Sequence, residues 1–393
     1  MARSAFLVFG GIIAAAQVGK IIVAMPLIQA ELQIGLGQVS LLIAVFATLG
    51  SLFGIVAGVA GRRLGAHRCL VGGMMTMALA SAAGASAPTI GWLLMSRIVE
   101  GIGFLAAAVV IPDLLSRAVV EKDRDLVFGL WSAYMPLGGA AMLLVGPWMP
   151  AFGWRHLWLA CALVTALYAL VAALLPKDAA EKAPAEDVRS FLRDSLSVVR
   201  DRTFLWLAAG FGLYTAQYFV IAGFLPVLLV STLHLDLGRA SLITTVAVLA
   251  NACGNMSAGL LLRSGVPLWA NILVAFGGFA VAAPFVFSIG LPPIMVAGVA
   301  TVTLGLGGLV PGSVFAAIPV FAAKRGLVIP AVGLVQQASN IGQFGGPFVT
   351  GLVAEHFGWP AAPAILLPSA LVGVAIAVAI RKTMYRLKLR RSE

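Results

Sequence analysis

A lysine and an arginine lie inside long apolar segments that are otherwise almost free of charge. Lys20 follows Gln17 by three residues and Arg97 precedes Glu100 by three residues, so each pair shares one face of a helix. A charge at this depth in a membrane costs a few kcal/mol unless it faces a cavity or a partner. Because two cations share one carboxylate, the pattern predicts that Lys20, Arg97 and Gln17 bind a small anion.

An alternative interpretation needs no ligand. Lys20 would pair with Glu100 between helices, and Arg97 would bond to backbone carbonyl groups. Glu100 itself has two possible roles, a fixed salt bridge or a buried carboxyl that carries a coupling proton.

The second half of the chain carries uncharged polar side chains at helical spacing. From these we predict further substrate ligands, namely Tyr214, Gln217, Tyr218, Asn251, Gln336 and Asn340; Asn255 and Gln343 share faces with Asn251 and Asn340. Such groups serve equally well as hydrogen bonds between helices. For Gln217 the role of substrate ligand is favoured, because Gln217 corresponds to Gln17 in the internal repeat described below.

Other chemistry has weaker support in the sequence. Met135, Met142 and Met149 form a stripe that suits a path for a soft metal such as copper, or adaptable packing. The three cysteines are scattered singly, and no hydrolase, kinase or metal-ligand pattern is present. We therefore expect no enzyme activity, no cofactor and no bound metal.

These residues must be positioned by helices that cross a membrane. The chain of 393 residues is 61% hydrophobic, and its mean hydropathy is +1.03. Soluble domains contain about 45–50% apolar residues. Apolar segments long enough to span a bilayer occur at 6–28, 39–60, 69–87, 91–112, 126–150, 155–175, 203–229, 239–261, 269–288, 293–318, 328–354 and 361–380. We predict an all-α membrane protein with twelve transmembrane helices.

Charge divides the chain and orients it. A connector at 176–202, rich in both charge signs, separates six-helix halves at 1–175 and 203–380, and a basic tail follows at 381–393. The spacing of apolar residues from Val188 predicts a surface helix in the connector. All lysines and arginines except Lys20, Arg97, Arg155 and Arg239 fall on one side, which predicts cytoplasmic termini in a multi-pass inner-membrane protein. Basic residues in the loops between spans set the orientation of a membrane protein. The net positive charge therefore does not indicate nucleic-acid binding, and we expect no nucleic-acid partner.

The two halves repeat each other in order. Ala16-Gln17 and Pro26 recur as Ala216-Gln217 and Pro226, Gly58 and Arg62 as Gly259 and Arg263, Gly146-Pro147 as Gly346-Pro347, and Phe152-Gly153-Trp154 as Phe357-Gly358-Trp359. Duplicated six-span halves place a binding site at the membrane midplane and expose it alternately to each side.

A family resemblance appears at the loop after the second span, Gly58-Val-Ala-Gly-Arg62-Arg63-Leu-Gly65-Ala-His67-Arg68. It resembles the signature loop of the major facilitator superfamily at Gly58, Arg63, Gly65 and Arg68, and departs from it at Arg62, where the family usually has aspartate, and at His67. In that family the loop helps to latch the inner gate. The resemblance therefore implies a gating role for Gly58, Arg62, Arg63, Gly65 and Arg68.

Further segments resemble motifs of the same superfamily. Arg97-Ile-Val-Glu100-Gly101-Ile-Gly103 looks like its second motif, and Gly146-Pro147, a further gating candidate, keeps the core of the motif of proton-driven antiporters without its trailing glycines. Gly129-Leu-Trp131-Ser132 and Gly305-Leu-Gly307-Gly308 look like the cyanate and nitroimidazole permease branch. The resemblance implies a secondary transporter that works by alternating access. Together with the unbalanced charge of Lys20, Arg97 and Glu100, we predict a monomer that moves a small anionic solute, with or without a coupling proton. The alternatives are a copper or other cation importer and a non-transporting receptor.

Overall fold

The computed structural model describes residues 2–52, 65–120, 127, 131–175, 188–287, 290–322 and 327–389. Every regular element among them is helical. The α-helices are α1 (Ala2–Leu32), α2 (Leu36–Ala44), α3 (Ala66–Ala85), α4 (Ile90–Ala118), α5 (Tyr134–Leu143), α6 (Met149–Leu174), α7 (Val188–Arg200), α8 (Arg202–Ser231), α9 (Leu237–Arg263), α10 (Leu268–Val286), α11 (Pro293–Gly307), α12 (Leu309–Ala322), α13 (Val328–Phe357) and α14 (Pro363–Leu389).

These helices account for the predicted spans. Nine helical stretches among the described residues are long and apolar enough to cross a membrane, and one of them, Tyr134–Leu174, contains two predicted spans. The remaining two predicted spans correspond to the shorter apolar helix Leu36–Leu52 and to α13. The prediction of an all-helical membrane protein is confirmed.

Two glycines show why the Phe-Gly-Trp sequence occurs twice. Gly153 (φ 73°) and Gly358 (φ 77°) both adopt the left-handed conformation that other residues avoid. Each glycine turns the chain between the fifth and sixth span of its half, and the tryptophan after it is buried. The indole of Trp154 donates a 2.6 Å hydrogen bond to Glu31 Oε2.

Small residues bring the first and fifth spans of each half into close contact. A Cβ on Gly138 of α5 would meet Ala15 and Ala16 of α1, while a Cβ on Gly342 of α13 would overlap the Gly212 carbonyl and approach Ala216 of α8. Backbones approach this closely only where side chains are absent. The same helix pairing in both halves matches the internal repeat.

This packing predicts opposite effects for two glycines of α13 that lie three residues apart. Gly342→Ala should lower the free energy of unfolding by about 1–3 kcal/mol, because the added methyl group overlaps the α8 backbone. Gly345→Ala is the matched control: nothing lies within 4 Å of its Cβ position, so better helix propensity should leave stability unchanged or raise it by up to about 1 kcal/mol. Thermal melting of the two purified variants measures both effects, and equal melting temperatures would contradict this view of the α8–α13 contact.

Among the described residues, the main helix pairs that join the halves are α2 with α13, α5 with α9, and α1 with α8. Seam A is the contact between α13 and the stretch Leu36–Leu52, which begins with α2. Seam B is the contact between α9 and residues 131–148, which include α5. We call the end of the bundle where α1 ends and α2 begins the distal face. The surface helix α7 packs on α8 and α13 with Ser195 and Val198 buried.

Candidate functional site

Lys20 lies at the centre of a buried polar cluster. Its ammonium group donates to Gln17 Oε1 at 2.6 Å, Ser81 Oγ at 2.7 Å and Glu100 Oε1 at 2.7 Å. The side chains of Lys20 and Glu100 are 0% exposed, and Nζ lies 4.6 Å from the centre of the Trp158 ring. An ammonium group has three protons, so Lys20 is saturated within the protein in this conformation.

Arg97 binds the second oxygen of the Glu100 carboxylate, whose first oxygen accepts from Lys20. Its Nη1 donates to Glu100 Oε2 and, at 2.8 Å, to the Gln17 carbonyl, while Nε donates to the Leu42 carbonyl at 3.2 Å. The guanidinium lies 4.4 Å from the centre of the Phe46 ring. Arg97 thus ties α4 to α1 and α2. Its Nη2 is buried and has no hydrogen-bond partner among the described residues.

Two hydroxyl groups anchor this cluster to α3 and α6. Gln17 Nε2 donates to Thr165 Oγ1 at 2.7 Å and to the Cys161 carbonyl at 3.2 Å, and Ser81 Oγ donates to the Trp158 carbonyl at 2.8 Å. Sequence reasoning missed Ser81 and Thr165, because a single hydroxyl in an apolar span has no distinctive signal. The first-half charges lie between α1, α3, α4 and α6, which is the arrangement of the ligand-free alternative.

Gln217 keeps its correspondence with Gln17. Its Nε2 lies 3.5 Å from Ser369 Oγ of α14, as Gln17 contacts Thr165 of α6. Each glutamine therefore joins the first span of its half to the sixth. The Gln217 carbonyl oxygen Oε1 is buried without a hydrogen-bond partner among the described residues.

Tyr214 and Asn251 form a second, uncharged cluster. Tyr214 donates to Asn251 Oδ1 at 3.1 Å, and Asn251 Nδ2 donates to the Leu304 carbonyl of α11 at 2.8 Å. The Tyr218 ring lies 5.9 Å from the Tyr214 ring, and its hydroxyl is 4.0 Å from where a Cβ on Gly139 would be. This cluster joins α8, α9 and α11 and reaches α5 across the boundary between the halves.

The amides of α13 and α9 lie along the two seams. Asn340 Nδ2 donates to its own helix at the Gln336 carbonyl, and its side chain fills the space beside Gly50 in seam A. In the same seam Gln337 Nε2 donates to the Ser51 carbonyl at 2.9 Å. Asn255 Nδ2 donates to the Ser132 carbonyl at 2.9 Å in seam B. The structure therefore does not bring Gln336 and Asn340 together with Lys20.

The gating candidates divide into two groups. Gly58, Arg62 and Arg63 lie outside the described residues, whereas Gly65 (φ 88°) precedes α3 and Arg68 lies in the first turn of α3. Gly146 and Pro147 lie at the distal end of seam B. A Cβ on Gly146 would overlap Ser241 of α9, and a Cβ on Gly238 would lie 3.1 Å from the Pro147 Cα.

A cleft of about 600 Å³ opens at the distal face between the ends of α1 and α8. It is lined by Pro26, Gln29, Ala30, Gln33, Ile34, Gly35, Val227, Val230 and Ser231. None of these residues is charged, so the cleft offers amide and hydroxyl groups to a solute but no counter-ion.

The methionine stripe contributes one sulfur contact. Cys161 Sγ lies 3.7 Å from Met142 Sδ. Among the residues that the structure describes, no group of three His, Cys, Asp or Glu could hold a metal ion.

The sequence matches a known protein family over most of its length. The family profile described as Major Facilitator Superfamily matches residues 7–336. A hexuronate transporter of Bacillus subtilis is 26% identical over 90% of this chain and 87% of its own length. A multidrug transporter of Aspergillus fumigatus is 27% identical over 42% of this chain, and the match covers only 33% of that protein's own length.

Solved structures show the same fold. A bacterial homologue of the human lysosomal transporter Spinster, inward-facing and occupied, aligns with a TM-score of 0.75 over 98% of this chain and 96% of its own, at 16% identity. The nucleoside transporter NupG aligns with a TM-score of 0.77 over 96% of this chain and 99% of its own, at 14% identity. The predicted fold of two six-helix halves is confirmed.

Proposed function

The chain belongs to the major facilitator superfamily, and we propose that this multi-pass secondary transporter moves a small organic anion across the inner membrane. The observation that carries the proposal is the charge of the buried cluster. Lys20 and Arg97 share Glu100, so the cluster holds one positive charge more than it can neutralise, and Arg97 Nη2 has no partner among the described residues. A carboxylate is the natural acceptor for a guanidinium N–H group.

Arg97 is the direct ligand in this proposal, and Lys20 has a different role. Lys20 already uses its three protons within the protein, so it contributes positive potential and positions Glu100. Tyr214, Tyr218 and Asn251 supply uncharged hydrogen-bonding groups for the rest of the solute, whereas Asn340 lies apart from the Lys20 cluster.

One relative supports an organic anion in particular. The Bacillus subtilis hexuronate transporter matches nearly the whole chain, and a hexuronate combines a carboxylate with several hydroxyl groups. These are the groups that one arginine together with tyrosine and amide side chains would bind. The resemblance to the cyanate and nitroimidazole permease branch adds small inorganic anions as a second class of solute to test.

Glu100 gives the proposal a route to proton coupling. The empty cluster has a net charge of about +1, a bound monoanion brings it to zero, and protonation of Glu100 would restore +1. Entry of one anion with one proton would therefore leave the buried charge unchanged and would move no net charge across the membrane potential.

Alternating access would occur at the seams. We propose halves at 1–175 and 203–380, joined by the connector at 176–202 and followed by the tail at 381–393. The distal face would be the outer side, because the basic residues concentrate at the opposite side. Gly146 and Pro147 lie at seam B, where the halves must separate for solute to enter.

A thermal-shift screen tests the substrate class. Purified protein is melted with hexuronates, other small carboxylates, cyanate, the matching neutral sugars and Cu(I). A ligand at about 100 times its Kd should add roughly 2.7 kcal/mol of stability, and we expect carboxylates to raise the melting temperature while neutral sugars do not. Stabilisation by Cu(I) alone would favour the cation importer, and anion binding without exchange in proteoliposomes would favour the receptor.

A further inference from the structure

Seam A contains a carboxylate that crosses from one half to the other at the distal face. Glu355 of α13 accepts a 2.7 Å hydrogen bond from the backbone N–H of Gly37, in the first turn of α2. The first N–H groups of a helix have no partner within the helix, and a side chain usually caps them. Here the N-cap residue is Gly35, which has no side chain, so the cap comes from the other half of the protein.

The surrounding residues leave room for this carboxylate. A Cβ on Gly35 would overlap Glu355 Oε1, and a Cβ on Gly37 would overlap Oε2. Two glycines on α2 therefore open the space that the two carboxylate oxygens occupy. Close by, Ser40 is fully buried beside Gly351.

The position of Glu355 on its own helix makes the contact sensitive to separation of the halves. Glu355 lies two residues before the end of α13, where the helix dipole disfavours a negative charge. The N-terminus of α2 offers the opposite end of a dipole, which favours that charge. If the halves part, Glu355 keeps its unfavourable position and loses its favourable partner.

We propose that Glu355 is a gate residue, an N-cap supplied across seam A that holds the distal face closed. The inference rests on the alternating-access part of the proposed function and is independent of which solute is carried. It adds Glu355, Gly35 and Gly37 to the gate at the face opposite the signature loop.

Cysteine accessibility tests the gate without any substrate. Ser40→Cys is introduced into a protein in which Cys69, Cys161 and Cys253 have been replaced, and its reaction with a polar maleimide is timed in nanodiscs. In Glu355→Ala we expect labelling about tenfold faster, the effect of losing one charge-assisted hydrogen bond. Gly37→Ala keeps the charge but displaces the carboxylate, so it should accelerate labelling similarly. Glu355→Gln retains an acceptor oxygen and should lie between.

Glu31→Gln is the matched control. Glu31 is also an acidic residue at the distal face, but its partners Trp154 and Arg155 belong to the same half. We expect it to label at the parental rate. The gate proposal would be overturned if Glu355→Ala and Gly37→Ala, melting at the parental temperature, also label at the parental rate, or if Glu31→Gln accelerates labelling as much. Because no solute is present, failure of the anion proposal leaves this result unaffected.

Discussion

Replacing Glu100 with glutamine should lower the free energy of unfolding by about 3–5 kcal/mol, because the change leaves two buried cations without a carboxylate. Glu100 accepts from Lys20 Nζ at 2.7 Å and from Arg97 Nη1, and all three side chains are 0% exposed. Removing one member of a buried ion pair is far more costly than removing a surface pair, since the remaining charge cannot reach water. Melting of the purified variant in detergent measures the loss.

Lys20→Gln is the control for this prediction. It removes a partner of the same carboxylate, but Arg97 and Glu100 remain as a neutral pair. We expect a smaller loss of about 1.5–3 kcal/mol, the usual effect of losing a hydrogen bond to a charged group. If Lys20→Gln and Glu100→Gln melt at the same temperature, charge imbalance does not dominate the energetics of the cluster.

Arg97→Gln should weaken binding of a carboxylate substrate by roughly 10- to 100-fold, because a charge-assisted hydrogen bond contributes about 1.5–3 kcal/mol. The variant keeps Lys20 paired with Glu100, so the protein should remain folded. Arg97→Lys retains the charge but lacks the planar fork that reaches Gln17, Leu42 and Glu100 together, and we expect an intermediate affinity. Equilibrium binding of a labelled hexuronate measures both.

Lys20→Gln separates contact from charge in this experiment. Arg97→Gln and Lys20→Gln have the same net charge, but only the second keeps the unpartnered Nη2. Lys20→Gln should therefore retain more affinity than Arg97→Gln. Equal losses would mean that the anion senses only the overall charge, and a larger loss in Lys20→Gln would identify Lys20 as the direct ligand.

Much of the fold follows from the sequence because the bilayer imposes it. The hydrocarbon core sets the length of each span, and the repeated Phe-Gly-Trp requires the same left-handed glycine at Gly153 and Gly358. The repeat predicts that equivalent spans pack in the same way in both halves, but it does not identify the contact residues. Aligning Gly146-Pro147 with Gly346-Pro347 places Ala338 opposite Gly138 and Met142 opposite Gly342.

The site is less predictable, for a physical reason. Spacing along one helix shows that Lys20 and Gln17 share a face, but not which neighbouring helix that face meets. Ser81, Thr165 and Trp158 complete the cluster from two other helices. The repeat likewise relates Gln217 to Gln17, but it does not show which helix each side chain contacts. The role of Glu355 could not be predicted from neighbouring residues, because the helix that it caps lies more than 300 residues away in the sequence.

Counterflow in proteoliposomes shows whether this transporter carries an organic anion that contacts Arg97. Liposomes loaded with unlabelled hexuronate are diluted into a trace of the labelled solute, with wild type, Arg97→Gln and Lys20→Gln compared. We expect a transient accumulation with wild type, a reduced one with Lys20→Gln and none with Arg97→Gln. No accumulation is expected when the matching neutral sugar is used. Equal exchange of the neutral sugar, or full exchange by Arg97→Gln, would contradict this expectation.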